Sequence, residues 1–141
     1  NLAIGYDALG GAINGGEMNV AIGNYSLDAN TTGDNNTAVG YNSLTSSTTA
    51  TFNTAFGSSS LSANTTGREN TATGGKALTL NTTGNYNTAT GFNALAANTT
   101  AEFNTATGNW AMGNTTTGGG RKETMLSSLK ADEREIESAV R

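Results

Sequence analysis

The chain has 141 residues, of which 35% are apolar and only 13% charged, with a formal net charge of −4 and no Cys, His or Pro. Disulfide scaffolds, Cys/His zinc sites and His-dependent nucleophile systems are thereby excluded, so neither a catalytic nor a metal site is expected and no cofactor is implied. The acidic balance speaks against nucleic acid, whose binding rests on Lys and Arg, and no segment approaches the ~18 apolar residues of a membrane span, so no membrane insertion is expected.

Read from the first residue, the pattern Asn-x-Ala-x-Gly begins at Asn1, Asn19, Asn36, Asn53, Asn70, Asn87 and Asn104, one step of 18 residues and then five of 17. The absence of an initiator Met or signal peptide before Asn1 suggests a fragment or processed piece. Each copy places a long aliphatic residue eight positions after its Asn, at Leu9, Leu27, Leu44, Leu61, Leu78, Leu95 and Met112. These residues are the expected core. Most copies close with a polar turn such as Asn30-Thr31-Thr32-Gly33 or Asn64-Thr65-Thr66-Gly67, with Ala in the Gly position at Ala50 and Ala101. The extra residue of the first copy falls around Gly15 and Gly16.

A 17-residue period is shorter than the roughly 33 residues of a helical-pair repeat, and the Asn, Thr and Gly content opposes helix. A strand followed by turns fits instead. In Asn36-Thr37-Ala38-Val39-Gly40 the period of two puts Asn36, Ala38 and Gly40 on one face and Thr37 and Val39 on the other. Gly5, Gly23, Gly40, Gly57, Gly74, Gly91 and Gly108 never vary, as expected of a corner that needs positive φ or has no room for a Cβ. The expected fold is all-β, a parallel β-solenoid or β-roll of seven 17-residue coils over residues 1–120, roughly 33 Å long. The Asn at each coil start should form a ladder of stacked amides. So small a coil holds little core, which points to an intertwined homotrimer burying the second strand face.

After Gly118-Gly119-Gly120 the composition changes. Residues 121–141 hold ten of the eighteen charged residues and no Gly, Asn or aromatic residue. Leu126, Leu129, Ile136 and Val140, with Glu133 in the remaining slot, follow alternating steps of three and four, which predicts a C-terminal amphipathic α-helix of coiled-coil type.

Asn36-Thr37-Ala38-Val39-Gly40-Tyr41-Asn42-Ser43-Leu44, with the Asn-Thr-Thr-Gly turns, resembles the repeats of bacteriophage tail-fibre and related virion fibre proteins. Asn19-Val20-Ala21-Ile22-Gly23 also resembles the head repeats of trimeric autotransporter adhesins, which differ in a period nearer fourteen residues. Both resemblances imply parallel homotrimers with β-roll shafts joined to coiled coils. The implied function is a rigid trimeric shaft on the virion surface that presents or spaces a receptor-binding tip. Its partners would be itself, neighbouring fibre or virion proteins, and a cell-surface glycan or protein receptor. The alternative is a bacterial trimeric adhesin head at the cell surface.

A third reading, ice binding, follows from the Thr-x-Thr units at Thr71 and Thr73, Thr88 and Thr90, and Thr105 and Thr107. An enzymatic reading would need two carboxylates about 5–9.5 Å apart. Asp7, Glu17, Asp28, Asp34, Glu69 and Glu102 instead read as occupying different phases of the repeat. If the shaft touches a ligand, the variable positions should do it. Tyr6, Tyr25, Tyr41, Phe92 and Trp110 follow the corner glycines and are candidate glycan contacts, while Met18, Phe52, Tyr86 and Phe103 precede the repeat Asn. Asn-x-Thr sequons at Asn30, Asn64, Asn81, Asn98 and Asn114 are read as incidental to the repeat.

Overall fold

The computed structural model describes residues 1–11, 15–114, 116 and 118–124, the last three by their backbone. Over these residues the chain is an all-β parallel solenoid. Its strands are β1 (Leu2–Ile4), β2 (Val20–Ile22), β3 (Thr37–Val39), β4 (Thr54–Phe56), β5 (Thr71–Thr73), β6 (Thr88–Thr90), β7 (Thr105–Thr107) and β8 (Lys122–Thr124). They form one eight-stranded sheet in chain order. Pairing is parallel and residue for residue, Ala21 opposite Ala38 and Ala38 opposite Ala55, so one repeat in sequence is one step in space. At about 4.8 Å per step the stack is about 34 Å long.

The repeat Asn builds the floor of each coil. Asn53 donates from Nδ2 to Asn36 Oδ1 at 3.2 Å and to the Gly67 carbonyl at 2.9 Å. Its own Oδ1 accepts the Asn70 backbone N–H at 3.0 Å and Asn70 Nδ2 at 3.2 Å. All four hydrogen-bonding sites of the carboxamide are therefore filled, which is the condition for burying it. The same pattern runs through Asn36, Asn70 and Asn87, while Asn104, at the end of the ladder, donates to Asn87 Oδ1 and accepts only the Arg121 N–H.

A second amide column stands across the coil. Asn30, Asn64, Asn81 and Asn98 are fully buried, and Asn98 donates to Asn81 Oδ1 at 2.8 Å as Asn81 does to Asn64 Oδ1 at 2.9 Å. Sequence reasoning placed these residues in polar turns; they close the turn from inside, each bonding the carbonyl three residues on. Ser47 interrupts the column and leaves its Oγ unpaired. A Cβ on Gly33, Gly67 or Gly84 would collide with the Oδ1 of its own coil's Asn and with the backbone carbonyl of the next coil, whereas the third coil carries Ala50 beside Ser47. The sixth coil has both Asn98 and Ala101, and there Asn98 Oδ1 has no partner.

Between the two amide columns lies a thin apolar core. Leu27, Leu44, Leu61, Leu78 and Leu95 are fully buried, as are Ala21, Ala38, Ala55, Ala72, Ala89 and Ala106, with Leu9 and Met112 nearly so at the ends. The corner glycines carry φ of 128° to 137°, a region open to glycine alone. A Cβ on Gly57 would stand 2.6 Å from the backbone carbonyl carbon of Gly74. The corner thus needs both the conformation and the absent side chain.

Three further positions per coil are left-handed without being glycine, such as Phe52 (φ 59), Ser59 (φ 57) and Leu61 (φ 49). Each costs about 1–2 kcal/mol relative to the right-handed region. The benefit is that each turns its N–H toward an adjacent coil: Phe52 to the Asp34 carbonyl, Ser59 to Tyr41, Leu61 to Ala77. Without the left-handed turns these amides would be unpaired within the stack.

One boundary changes. Residues Lys122–Thr124, expected to begin the helix, form β8 in register with β7. Arg121 takes the place of the repeat Asn, its backbone N–H donating to Asn104 Oδ1 at 3.2 Å. The sheet therefore accepts one more strand because its ladder needs only backbone amides, although the residue in register with Ala106 is now Glu123. The predicted coiled-coil residues Leu126 to Val140 lie outside the described residues.

Two outcomes are expected in denaturation experiments. Gly57→Val should lower stability by more than about 1–3 kcal/mol, and Leu61→Ala by about 2–5 kcal/mol from lost transfer energy and a cavity. Unchanged melting of Gly57→Val would remove the corner assignment. Separately, Ser47→Asn combined with Ala50→Gly should complete the second amide column. The double variant should exceed the sum of the singles by about 1 kcal/mol in a thermodynamic cycle; simple additivity would show that the Ser47–Ala50 pairing is not steric.

Candidate functional site

With Asn, Ala and Leu turned inward, the coil exposes three sets of variable positions. The first is the outward face of the sheet. Leu2, Ile4 and Phe56 are about half exposed, and Val20, Ile22 and Val39 are partly covered. Farther along, both outward positions are Thr in three successive strands, at Thr71 and Thr73, Thr88 and Thr90, and Thr105 and Thr107. None of the fourteen outward residues of β1 to β7 is charged.

The second set follows the corner glycine, and it divides into two columns. Tyr6, Tyr41 and Phe92 stand directly after the glycine, whereas Tyr25 and Trp110 stand one residue later on left-handed backbone. Tyr25 packs edge-to-face between Tyr6 at 5.5 Å and Tyr41 at 6.1 Å. The candidate contacts at the amino-terminal end thus form one cluster, and Phe92 and Trp110 lie several coils away. Partial burial, together with the negative charge of nearby phenols and carboxylates, raises the pKa of the Tyr25 hydroxyl above its usual 10.0.

The third set precedes the repeat Asn: Met18, Asn35, Phe52, Glu69, Tyr86 and Phe103. All have left-handed φ of 55° to 59°. Their apolar members are strongly exposed, Met18 at 71%, Phe52 and Phe103 at 58% and Tyr86 at 42%. Tyr86 and Phe103 stack face to face at 4.8 Å, one coil apart. Phe52 has polar residues, Asn35 and Glu69, on both sides in this column. Phe52, Glu69 and Thr71 line an open groove of about 420 Å³ between this column and the edge of the sheet face.

Three of the acidic residues, Glu17, Asp34 and Glu102, share a column that sequence reasoning missed. Glu17 and Asp34 are one repeat apart and share a column, and Asp34 Oδ1 accepts the Glu17 backbone N–H at 2.7 Å. Lower in the same column Asn85 Oδ1 accepts the Arg68 N–H at 2.9 Å, and Glu102 Oε1 accepts from Asn85 Nδ2 at 2.6 Å. These carboxylates pair coils. Among the described residues, no three Asp or Glu side chains gather as a potential metal-ligand group, and no helix is long and apolar enough to cross a membrane. Of the sequons, Asn30, Asn64, Asn81 and Asn98 are buried in the second amide column and cannot meet a transferase in the folded chain, whereas Asn114 is exposed.

Compared with known proteins, the chain matches no family model, no curated protein and no solved structure.

The raised phenol has a measurable consequence. Because the folded pKa of Tyr25 lies above the unfolded value, its contribution to stability is present below about pH 10 and is lost as pH rises through the folded pKa. In an alkaline absorbance titration a late-ionising phenol should be present, and Tyr25→Phe should remove it. A variant that keeps the late phase would reassign it to another phenol.

Proposed function

We propose that the chain is a structural and attachment segment of a virion fibre, a rigid shaft built from three parallel copies that displays or spaces a receptor-binding element. The observation that carries this reading is the outward sheet face: fourteen positions without a charge in a chain of net charge −4. Like-charged chains can approach one another there without repulsion. The second outward position of each strand runs Ile4, Ile22, Val39, Phe56 and then Thr73, Thr90, Thr107. Such a gradient is self-complementary only in parallel alignment, where apolar side chains meet apolar ones and hydroxyls meet hydroxyls. An antiparallel pair would set Ile4 against Thr107, burying hydroxyls against hydrocarbon at a desolvation cost.

The need for partners follows from the core. One Leu or Met and at most four Ala per coil, set against two or three left-handed non-glycine residues, leave a single stack marginal. Burying Ile22, Val39 and Phe56 against two other copies would supply the missing apolar area. Light scattering on the purified chain should report three times the chain mass. Ile22→Lys with Val39→Lys should shift that mass to one chain, and a wild-type monomer that melts cooperatively at micromolar concentration would refute the trimeric shaft.

A further inference from the structure

The column containing Phe52 poses an energetic question that the shaft does not answer. Left-handed backbone is tolerated best by Gly and Asn, and this column accepts both, with Asn35 at φ 57 and Gly120 at φ 73. Yet Met18, Phe52, Tyr86 and Phe103 stand in the same conformation with large apolar side chains that remain 42% to 71% exposed. Tyr86 and Phe103 recover part of the cost by stacking. Phe52 makes no aromatic pair among the described residues, and its ring opens onto the groove it shares with Glu69 and Thr71. A side chain kept where the backbone disfavours it, and where the chain itself covers little of it, is explained by something outside the chain.

We propose that the Phe52–Glu69–Thr71 groove binds carbohydrate, with neutral or amino-bearing hexopyranose units as the ligand class. The three lining residues supply complementary chemistry. An aromatic ring offers an apolar, electron-rich face to the C–H groups of a pyranose. A carboxylate accepts hydrogen bonds from paired hydroxyls or from an ammonium, and the threonine hydroxyl both donates and accepts. The groove lining holds a carboxylate and no cation, and the chain is acidic overall, so sulfated and uronic-acid glycans are disfavoured. Ligands of this kind extend along a stack of coils as readily as they sit on one, and Tyr86 lies two coils beyond Phe52 in the same column, about 10 Å away at the strand spacing. A chain of sugar units running parallel to the solenoid axis would meet both rings. The groove's inner wall, Thr71, is itself a first outward strand position, one column away from the Ile22 and Val39 column. The inference deepens the attachment reading and rests on it for its biological sense, while the binding itself needs only one chain.

The test uses the full chain and two variants drawn from the column's own repertoire, Phe52→Asn and Tyr86→Gly. Wild type is applied to an immobilised array of neutral, amino-bearing and sulfated oligosaccharides, and chain mass and melting temperature are measured in parallel. The expected result is retention on neutral or amino-bearing members, lost in Phe52→Asn and weakened in Tyr86→Gly. Phe52→Asn should keep the wild-type mass and melt at the same temperature or higher, because Asn suits the left-handed backbone. Retention on sulfated members alone, or on none, overturns the proposal. So does a Phe52→Asn variant that melts lower or changes its mass, since the ring would then be a contact within or between chains. Failure of trimerisation with glycan retention intact would sink the shaft reading and leave the groove standing.

Discussion

The whole molecule depends on one translation: each buried carboxamide must find the identical carboxamide one coil away. Asn36, Asn53, Asn70 and Asn87 each hand both amide hydrogens and both lone pairs to partners fixed by that step. A buried amide left half-bonded would cost about 1–3 kcal/mol, so an insertion inside a coil is tolerated only where it bulges away from the ladder. The first coil carries one extra residue. It falls before Gly16, whose carbonyl still receives Asn1 Nδ2 at 2.8 Å, as Gly33 receives Asn19 Nδ2 at 2.7 Å.

From that translation the remaining features follow. Closing a circuit in 17 residues leaves room inside for Ala and one Leu, and bringing every amide into line demands four positive-φ positions per coil, only one of which is glycine. Leu61 accepts left-handed backbone because its burial and its hydrogen bond to Ala77 hold it there. Phe52 accepts it with its side chain largely in solvent. The same backbone geometry thus marks a core residue in one column and an outward-looking one in another, and exposure is what separates structural from interactive positions.

The period, the corner glycines, the Ala column and the Leu column were all readable as sequence, because a solenoid writes each spatial column as a fixed phase. The parallel sheet followed from them. The second amide column was not readable, since Asn-Thr-Thr-Gly has the composition of an exposed turn and nothing local reveals that the Asn side chain points inward. Nor was the stacking of Glu17 on Asp34, which the sequence reading set in different phases although they stand one 17-residue repeat apart. β8 was obscured by charge: Arg121, Lys122 and Glu123 carry none of the repeat's side chains, yet the ladder recruits their backbone alone. The Phe52 groove joins residues of three successive repeats, Phe52, Glu69 and Thr71, and its left-handed backbone contradicts the propensity of its aromatic residue.

The strands lie across the long axis, and each is only three residues wide. Tension applied along that axis therefore loads the inter-strand bonds one rung after another, as in opening a zipper, and never shears many together. A single chain pulled by its ends would peel coil by coil, each 17-residue release adding about 55–60 Å of contour against the few ångströms it spanned when folded. A stack so constructed resists bending and compression far better than stretching, and any tensile strength in an assembled fibre has to come from contacts that lash neighbouring chains together across the rungs.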